Sequence, residues 1–493
     1  MVLTRFGSHR TVLVLGIAAA LALPMGAHAA QKTSTTKNQS TREKQLESRV
    51  TQLEQELAEL KSMIQEQKAA TTQVAQTAQT AQATAEATSV QVEAAKKSAA
   101  ETKPAFTTAP GVSVALHGFI SASAFGQDKT FTYGNGQNAE IPAVPAKANS
   151  GALSGVDVRN TRFWLDFTGA KLNENWGGGG RIEMDFFGGF NGTGAYSQQQ
   201  PIPRLRQAYM ELTNPNSGST VRIGQQWDLM FPLDYVPTSL SHIAFPLGFG
   251  SGLIGWRYPG VVWMQDLNHG SDGLKWRLDV GAFEGNWSGP NPAGGTNTIN
   301  YLTAGNAHFQ PQVEARLRVA DKNWMAYFVA HYASLDLKGV NNSFPTPIRD
   351  KIKSVGYEVG GQWKPGPWTF KGLVYAGNGL GQIFGAMSQF GDISEAGGFV
   401  QAGYTFMSKW SVNAFYSLNK PNKTDVIRWT ITSPASNALL KDEQAALSLQ
   451  YASGAYELGI EWIYDNLHYQ TGATGARKGI NGNQVSLSAL YKF

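Results

Sequence analysis

Residues 484–493 read QVSLSALYKF and place apolar or aromatic side chains at Val485, Leu487, Ala489, Tyr491 and Phe493, every second position to the last residue. Side chains on a strand alternate between its two faces, so this decapeptide has one greasy face ending in two rings and one small, polar face. Two settings suit such a strand: a wall that faces lipid, and a half-buried edge in a soluble sandwich.

The same period of two recurs upstream. It predicts strands over 112–125, 159–168, 180–186, 204–213, 220–227, 256–265, 274–283, 312–320, 324–335, 354–363, 368–376, 397–406, 410–418, 443–451 and 456–468. With 484–493 that makes about sixteen, an even number as closed single-chain barrels have. In 180–186, Ile182, Met184 and Phe186 alternate with Arg181, Glu183 and Asp185; in 312–320, Val313, Ala315, Leu317 and Val319 alternate with Glu314, Arg316 and Arg318. A sandwich also alternates, but about sixteen strands would normally be divided among domains. Trp324, Trp368, Trp410, Trp462, Tyr464, Tyr491 and Phe493 fall at or near strand ends, where lipid-facing rings form girdles. Compact turns at 171–179, 214–219, 320–323, 364–367, 407–409 and 452–455 alternate with long Gly-, Asn-, Pro- and Ser-rich connections at 127–158, 187–203, 284–311 and 338–353. The expected fold is a transmembrane β-barrel of about sixteen antiparallel strands over residues 108–493, its short turns at the end that carries the termini.

The N-terminal part agrees on compartment. Arg5 and Arg10, the apolar run 11–23 and the small-x-small site Ala27-His28-Ala29 read as a secretory signal peptide over 1–30. A polar linker follows at 31–43. From 44 to 103 the apolar positions step by four and three through Leu46, Val50, Leu53, Leu57, Leu60 and Ile64, a heptad seam flanked by charges that implies self-association. The register continues through an Ala-, Gln- and Thr-rich tract to Pro104, and two readings stand: one long coiled coil, or a short coil followed by a linker.

Composition narrows the function classes. Glycine numbers 54, aromatics make up 11% and charged residues 16%, poor in charge against the ~25% of soluble domains. Cysteine is absent, so disulfides and thiolate metal sites are excluded. The 41 basic and 36 acidic residues are near balance once Arg5 and Arg10 leave with the signal, which gives no case for nucleic-acid binding. No Gly-x-Ser-x-Gly turn, His-Glu-x-x-His helix or phosphate-binding glycine loop occurs, so the reading is of a protein that is not an enzyme and has no cofactor and no metal.

The signal peptide, the heptad segment, the runs Pro203-Arg204-Leu205-Arg206-Gln207-Ala208-Tyr209 and Arg222-Ile223-Gly224-Gln225-Gln226-Trp227, and the terminal Tyr491-Lys492-Phe493 together resemble the DcaP-like trimeric outer-membrane porins. That resemblance implies a homotrimer of sixteen-stranded barrels in the bacterial outer membrane, joined by a periplasmic coiled coil and passing small anionic solutes such as dicarboxylates and aromatic acids. It also implies that the last strand, with Tyr491 and Phe493, is the signal for the barrel-assembly machinery.

The candidate anion pathway is the arginine set on the polar faces: Arg162, Arg181, Arg206 and Arg222 on adjacent early strands, with Arg277, Arg316 and Arg318 further round. Guanidinium groups hold carboxylates in a bidentate way and stay charged. Asp166, Glu183, Asp185, Asp279, Glu314 and Glu358 share those faces, so each arginine has two readings, pathway or wall brace. Neutralising Arg162, Arg181, Arg206 and Arg222 together is expected to lower anion selectivity without unfolding the barrel. The stretch 226–249, apolar and interrupted by Pro232, Pro237 and Pro246, is read either as a loop bent into the lumen, with Asp234, Tyr235 and His242 setting the eyelet, or as a cap on the trimer interface. Two other functions stand beside the anion channel: a carbohydrate-type porin with a coiled coil, and a tether between outer membrane and cell wall.

Overall fold

The structure is a computed structural model that describes residues 48, 61, 106–109, 111–131, 140–144, 151–188, 201–232, 235–284, 310–336, 348–349, 351–387, 391–430, 437–472 and 474–493. The chain divides into two units, 1–103 and 104–493. In the first only Ser48 and Lys61 are described, both helical, so the signal peptide, the linker and the heptad seam lie outside the described residues.

The second unit is a closed antiparallel barrel. Its strands are β1 (Phe106–Ala109), β2 (Val112–Gln127), β3 (Leu153–Asp157), β4 (Arg162–Lys171), β5 (Gly177–Asp185), β6 (Arg204–Asn214), β7 (Ser219–Trp227), β8 (Arg257–Asp266) and β9 (Lys275–Phe283). They continue with β10 (Gln312–Ala320), β11 (Trp324–Asp336), β12 (Lys351–Trp363), β13 (Trp368–Asn378), β14 (Ser394–Phe406), β15 (Trp410–Pro421), β16 (Asn437–Ser453), β17 (Tyr456–Thr471) and β18 (Arg477–Lys492). Consecutive strands from β4 to β18 pair with one another, and β2 pairs with both β4 and β18, which closes a ring of sixteen. Closure satisfies every ladder group without a free edge. Turns at 172–176, 215–218, 267–274, 321–323, 364–367, 407–409 and 454–455 lie at one end, and the longer connections at the other.

The last strand has the two faces its sequence predicts. Val485, Leu487 and Tyr491 are exposed, while Gln484, Ser486 and Ser488 are buried inside. Outward apolar side chains recur around the ring, among them Ile182, Val280, Val313, Val359, Val374, Val400, Leu447 and Leu458, so the exposed surface forms a greasy belt. Trp368, Trp410, Trp462, Tyr491 and Phe493 point outward with it.

Phe493 seals the ring. Its backbone exchanges two 3.0 Å hydrogen bonds with Gly118 of β2. A Cβ on Gly118 would stand 2.7 Å from the Phe493 ring and 2.6 Å from the Arg162 carbonyl, so only glycine fits there. Deleting Phe493 is expected to lower the yield of folded, heat-modifiable barrel several-fold while leaving the conductance of the barrels that form unchanged; an undiminished folded fraction on unheated gels would contradict this.

One expected loop is partly wall. The sequence reading places 127–158 in a connection, yet Leu153–Asp157 pairs with Ser123–Gln127 and continues the wall that β4 begins. The interruption at 158–161 has a local cause. Thr161 replaces the ladder with its side chain, accepting from Ser121 N at 3.1 Å and donating to Ser121 O at 3.2 Å, which frees Asn160 to turn inward, where it is fully buried.

Candidate functional site

The stretch between β7 and β8, residues 228–256, folds into the lumen and crosses it. On one side Asn160 donates to Ser241 O at 2.8 Å and accepts from Ala244 N at 3.0 Å, and Arg162 of β4 donates to Ile243 O at 3.3 Å. On the far side Lys371 of β13 donates to Val236 O at 2.9 Å and Thr238 Oγ1 at 2.8 Å, and Gln401 of β14 accepts from Thr238 N at 2.7 Å. Glu461 of β17 accepts from Ser239 Oγ at 2.8 Å and from Ser241 Oγ, and Gln444 of β16 accepts from Gly248 N at 2.7 Å. Since β4 and β13 lie on nearly opposite sides of the ring, these anchors span it.

Apolar packing holds the crossing segment down. Leu247, Phe249, Leu253 and Ile254 are buried against inward side chains of the wall such as Leu373, Phe399 and Phe415. Two short helices from the long-connection end, α1 (Leu380–Phe384) and α2 (Lys423–Thr430), add Leu380, Ile383, Phe384, Val426 and Trp429 to the same cluster. The inside of this barrel is therefore largely a hydrophobic core, where a bare sixteen-stranded ring leaves a wide aqueous channel.

Of the eyelet residues named from the sequence, Tyr235 and His242 are each 2% exposed and serve as packing and anchoring groups instead of facing open space. The Tyr235 ring lies 5.5 Å from that of Tyr327, and His242 Nδ1 sits 2.8 Å from Ser241 Oγ and 3.4 Å from Glu461. Packing on Tyr327 and the contact with Glu461 keep these side chains from lining an open passage. Asp234 lies outside the described residues.

The arginine set splits by partner. Arg181 makes a two-point contact with Asp166 at 2.7 and 2.9 Å, and Arg222 holds Glu211 at 2.6 Å with its guanidinium 4.2 Å from the Tyr209 ring centre. These two pairs flank a cavity of about 730 Å³ at the short-turn end, where the glycine run 177–180 leaves the wall bare. Arg277 and Arg316 share Asp279 at 2.7 and 2.8 Å, and Arg318 is half-buried on the same strand face as Arg316. Arg206, 2% exposed, bridges Glu183 at 2.5 Å and Asp185 at 2.6 Å. A bulge between Glu183 and Met184 lets Arg206 and its neighbour Gln207 both reach Glu183. Arg162 lies 3.7 Å from Glu183.

Three further arginines, not singled out from the sequence, join them. Arg159 binds Asp157 and Arg204 binds Asp185, and their side chains keep 23% and 21% of their surface open. Arg257 is 2% exposed. Rings and guanidinium groups interleave: Arg159 and Arg204 lie 4.6 and 5.5 Å from Phe187, Arg204 lies 5.2 Å from Phe245, and Phe245 lies 5.9 Å from Trp256. Arg257 sits 4.5 Å from Trp256 and 4.9 Å from Trp227, and Arg206 reaches the other end of this ladder 5.8 Å from Trp227. Five guanidinium groups (Arg159, Arg162, Arg204, Arg206, Arg257) meet three carboxylates (Asp157, Glu183, Asp185) here, an excess of positive charge beside the crossing segment. Six carboxylates elsewhere on the inner wall, Glu314, Glu358, Glu395, Asp442, Glu461 and Asp465, are each buried. Among the described residues no group of three His, Asp or Glu side chains is disposed to hold a metal ion.

No family model matches the chain, and no curated protein matches it. Among solved structures it is similar to the outer membrane channel DcaP of Acinetobacter baumannii, with a TM-score of 0.57 and 18% identity over 79% of this chain and 100% of that one. Looser likenesses, each at a TM-score of 0.46 and 13% identity over 78% of this chain, are to a loop-deletion mutant of OmpT, an outer membrane protein of Vibrio cholerae, over 100% of its length, and to Salmonella typhi OmpF in complex with daunomycin, over 98%. The chain thus shares the barrel fold of the DcaP channel, whose family its sequence resembles.

Proposed function

We propose that this protein is an outer-membrane porin that lets small anionic solutes diffuse passively, dicarboxylates and aromatic acids being the class to which its sequence resemblance points. The observation that carries the reading is the basic face itself: the partly open side chains of Arg159 and Arg204 and the neighbouring Arg162 meet water where the crossing segment narrows the lumen, while the six carboxylates elsewhere on the inner wall are buried. A confined, low-dielectric passage amplifies such a field and raises the local concentration of anions. Arg181 and Arg222 extend the basic groups into the cavity at the short-turn end. The greasy outer belt supports a place in the membrane, and the heptad segment supports a homotrimer joined in the periplasm.

A carbohydrate channel would need a line of rings open to the passage. Trp227, Phe245 and Trp256 are each under 9% exposed and alternate with guanidinium groups, which favours the anion reading. The tether reading rests on the N-terminal segment alone, and deleting 44–100 tests it through envelope integrity at unchanged conductance.

Reversal potentials across planar bilayers in a salt gradient test the proposal. The purified protein is expected to prefer anions, and Arg159→Gln with Arg204→Gln is expected to lower the anion-to-cation permeability ratio several-fold in barrels that still show heat-modifiable mobility. Cation preference in the unaltered protein would overturn it.

A further inference from the structure

Arg257 stands apart from every other arginine of the basic face, because its charge is buried and its donors are idle. Its Nε and Nη1 meet no hydrogen-bond acceptor among the described residues, and the side chain is sealed between the Trp227 and Trp256 rings. The nearby carboxylates are already engaged. Asp185 accepts from Arg204 at 2.7 and 3.0 Å, from Arg206 at 2.6 Å and from Phe187 N at 3.1 Å. Glu183 accepts from Arg206 at 2.5 Å and from Gln207 at 2.7 Å. Asp228, beside Trp227, spends its oxygens on Phe231 N at 2.8 Å and on Trp256 N. The connections 189–200 and 285–309, outside the described residues, contain neither Asp nor Glu.

A guanidinium group withdrawn from water without a counter-charge of its own is costly, and rings over its face offset only part of that. Arg204 and Arg206 lie within electrostatic reach and add like charge, while Asp185 and Glu183, already bonded to those two, act on Arg257 only from a distance. We infer that Arg257 holds a resident small inorganic anion, a halide or an oxyanion, as a fixed counter-ion distinct from any solute in transit. Each idle N–H of the guanidinium suits a chloride or one oxygen of a phosphate. The place gives the ion a task. Trp227 and Arg257 are register partners where the crossing segment leaves and rejoins the wall, so an ion bound there fastens both roots of that segment at once.

The inference does not depend on what the channel carries. It is tested by melting the purified full chain in detergent, followed by loss of the heat-modifiable form, in sodium gluconate, chloride and phosphate at equal ionic strength. A ligand that binds only the folded state raises the melting temperature with its concentration. The unaltered protein is expected to melt several degrees higher in chloride and phosphate than in bulky gluconate. Arg257→Met is expected to melt lower and to lose the chloride response, which separates site binding from the general strengthening of apolar burial by phosphate. Equal melting of the unaltered protein in gluconate and chloride, the result that a carboxylate of the chain such as Asp234 on Arg257 would give, overturns the inference; so does an Arg257→Met protein that keeps the full chloride response. Should that variant fail to fold, bromide-exchanged crystals of the unaltered protein decide: anomalous density at the Arg257 guanidinium supports the resident ion, and its absence there overturns it.

Discussion

A chain in which residues 238–251 are replaced by a short Gly-Ser linker is expected to fold as a barrel and to conduct several times more current per pore than the intact protein. The wall does not need this stretch, because β7 and β8 pair directly from Ser219–Gln265 to Trp227–Arg257 and would remain a hairpin. The lumen does need it. Ser239 and Ser241 on Glu461, Thr238 on Gln401, and Gly248 on Gln444 fix the segment across the ring, and Leu247 and Phe249 fill the space between. Removing them returns the interior toward the water-filled state of an open sixteen-stranded barrel, in which ionic current follows the free cross-section. Selectivity is expected to fall with the same change, since a wider passage screens the arginines within about 8 Å at physiological salt. Single-channel recording of heat-modifiable protein is the measurement. Unchanged conductance in the folded variant would mean that ions pass without meeting the segment.

What was legible in the sequence follows from which environment each side chain faces. Lipid demands apolar groups at every second position, and that demand wrote the alternation of 484–493, 312–320 and 180–186 plainly enough to fix strand number and facing. The period of two also put Arg204 on the same face as Arg206, so the first was within reach of the reading that found the second. Arg257 was not, although it lies in the predicted strand 256–265, because Pro259, Gly260 and the paired Val261 and Val262 break the alternation that would assign its face. The lumen-filling groups escaped for a different reason. Leu380, Ile383 and Phe384 have helical spacing, but a five-residue helix is too short to be distinguished from a loop, and their burial is decided by partners such as Tyr258, whose hydroxyl donates to Ile383 O across more than a hundred residues. Likewise the sequence shows that arginines and carboxylates share one face, whereas which of them pair depends on register and on the bulge at Glu183.

The pairing weighs against the expectation that Arg162, Arg181, Arg206 and Arg222 can be neutralised together without unfolding the barrel. Arg206→Met is expected to destabilise the barrel by about 3–5 kcal/mol, the cost typical of removing one partner from a buried ion pair. Arg206 is 2% exposed, as its two carboxylates nearly are, and without it Glu183 keeps Gln207 as its close donor and Asp185 keeps Arg204. The loss is large because two buried negative charges are left short of compensation, and little of it comes from the attraction that disappears. It follows that Glu183→Gln should restore part of the stability in the Arg206→Met background, since Glu183 is there left with Gln207 as its close donor, whereas Asp185 has to keep the charge that Arg204 pairs with. Arg204→Met should cost less than Arg206→Met, because the Arg204 side chain is 21% open and water screens part of its pair with Asp185. Urea midpoints of the three variants and the unaltered chain in lipid vesicles measure these differences. Arg206→Met unfolding at the midpoint of the unaltered chain, or the double variant with Glu183→Gln unfolding no later than Arg206→Met alone, would show that Arg206 braces nothing and would return it to the solute pathway.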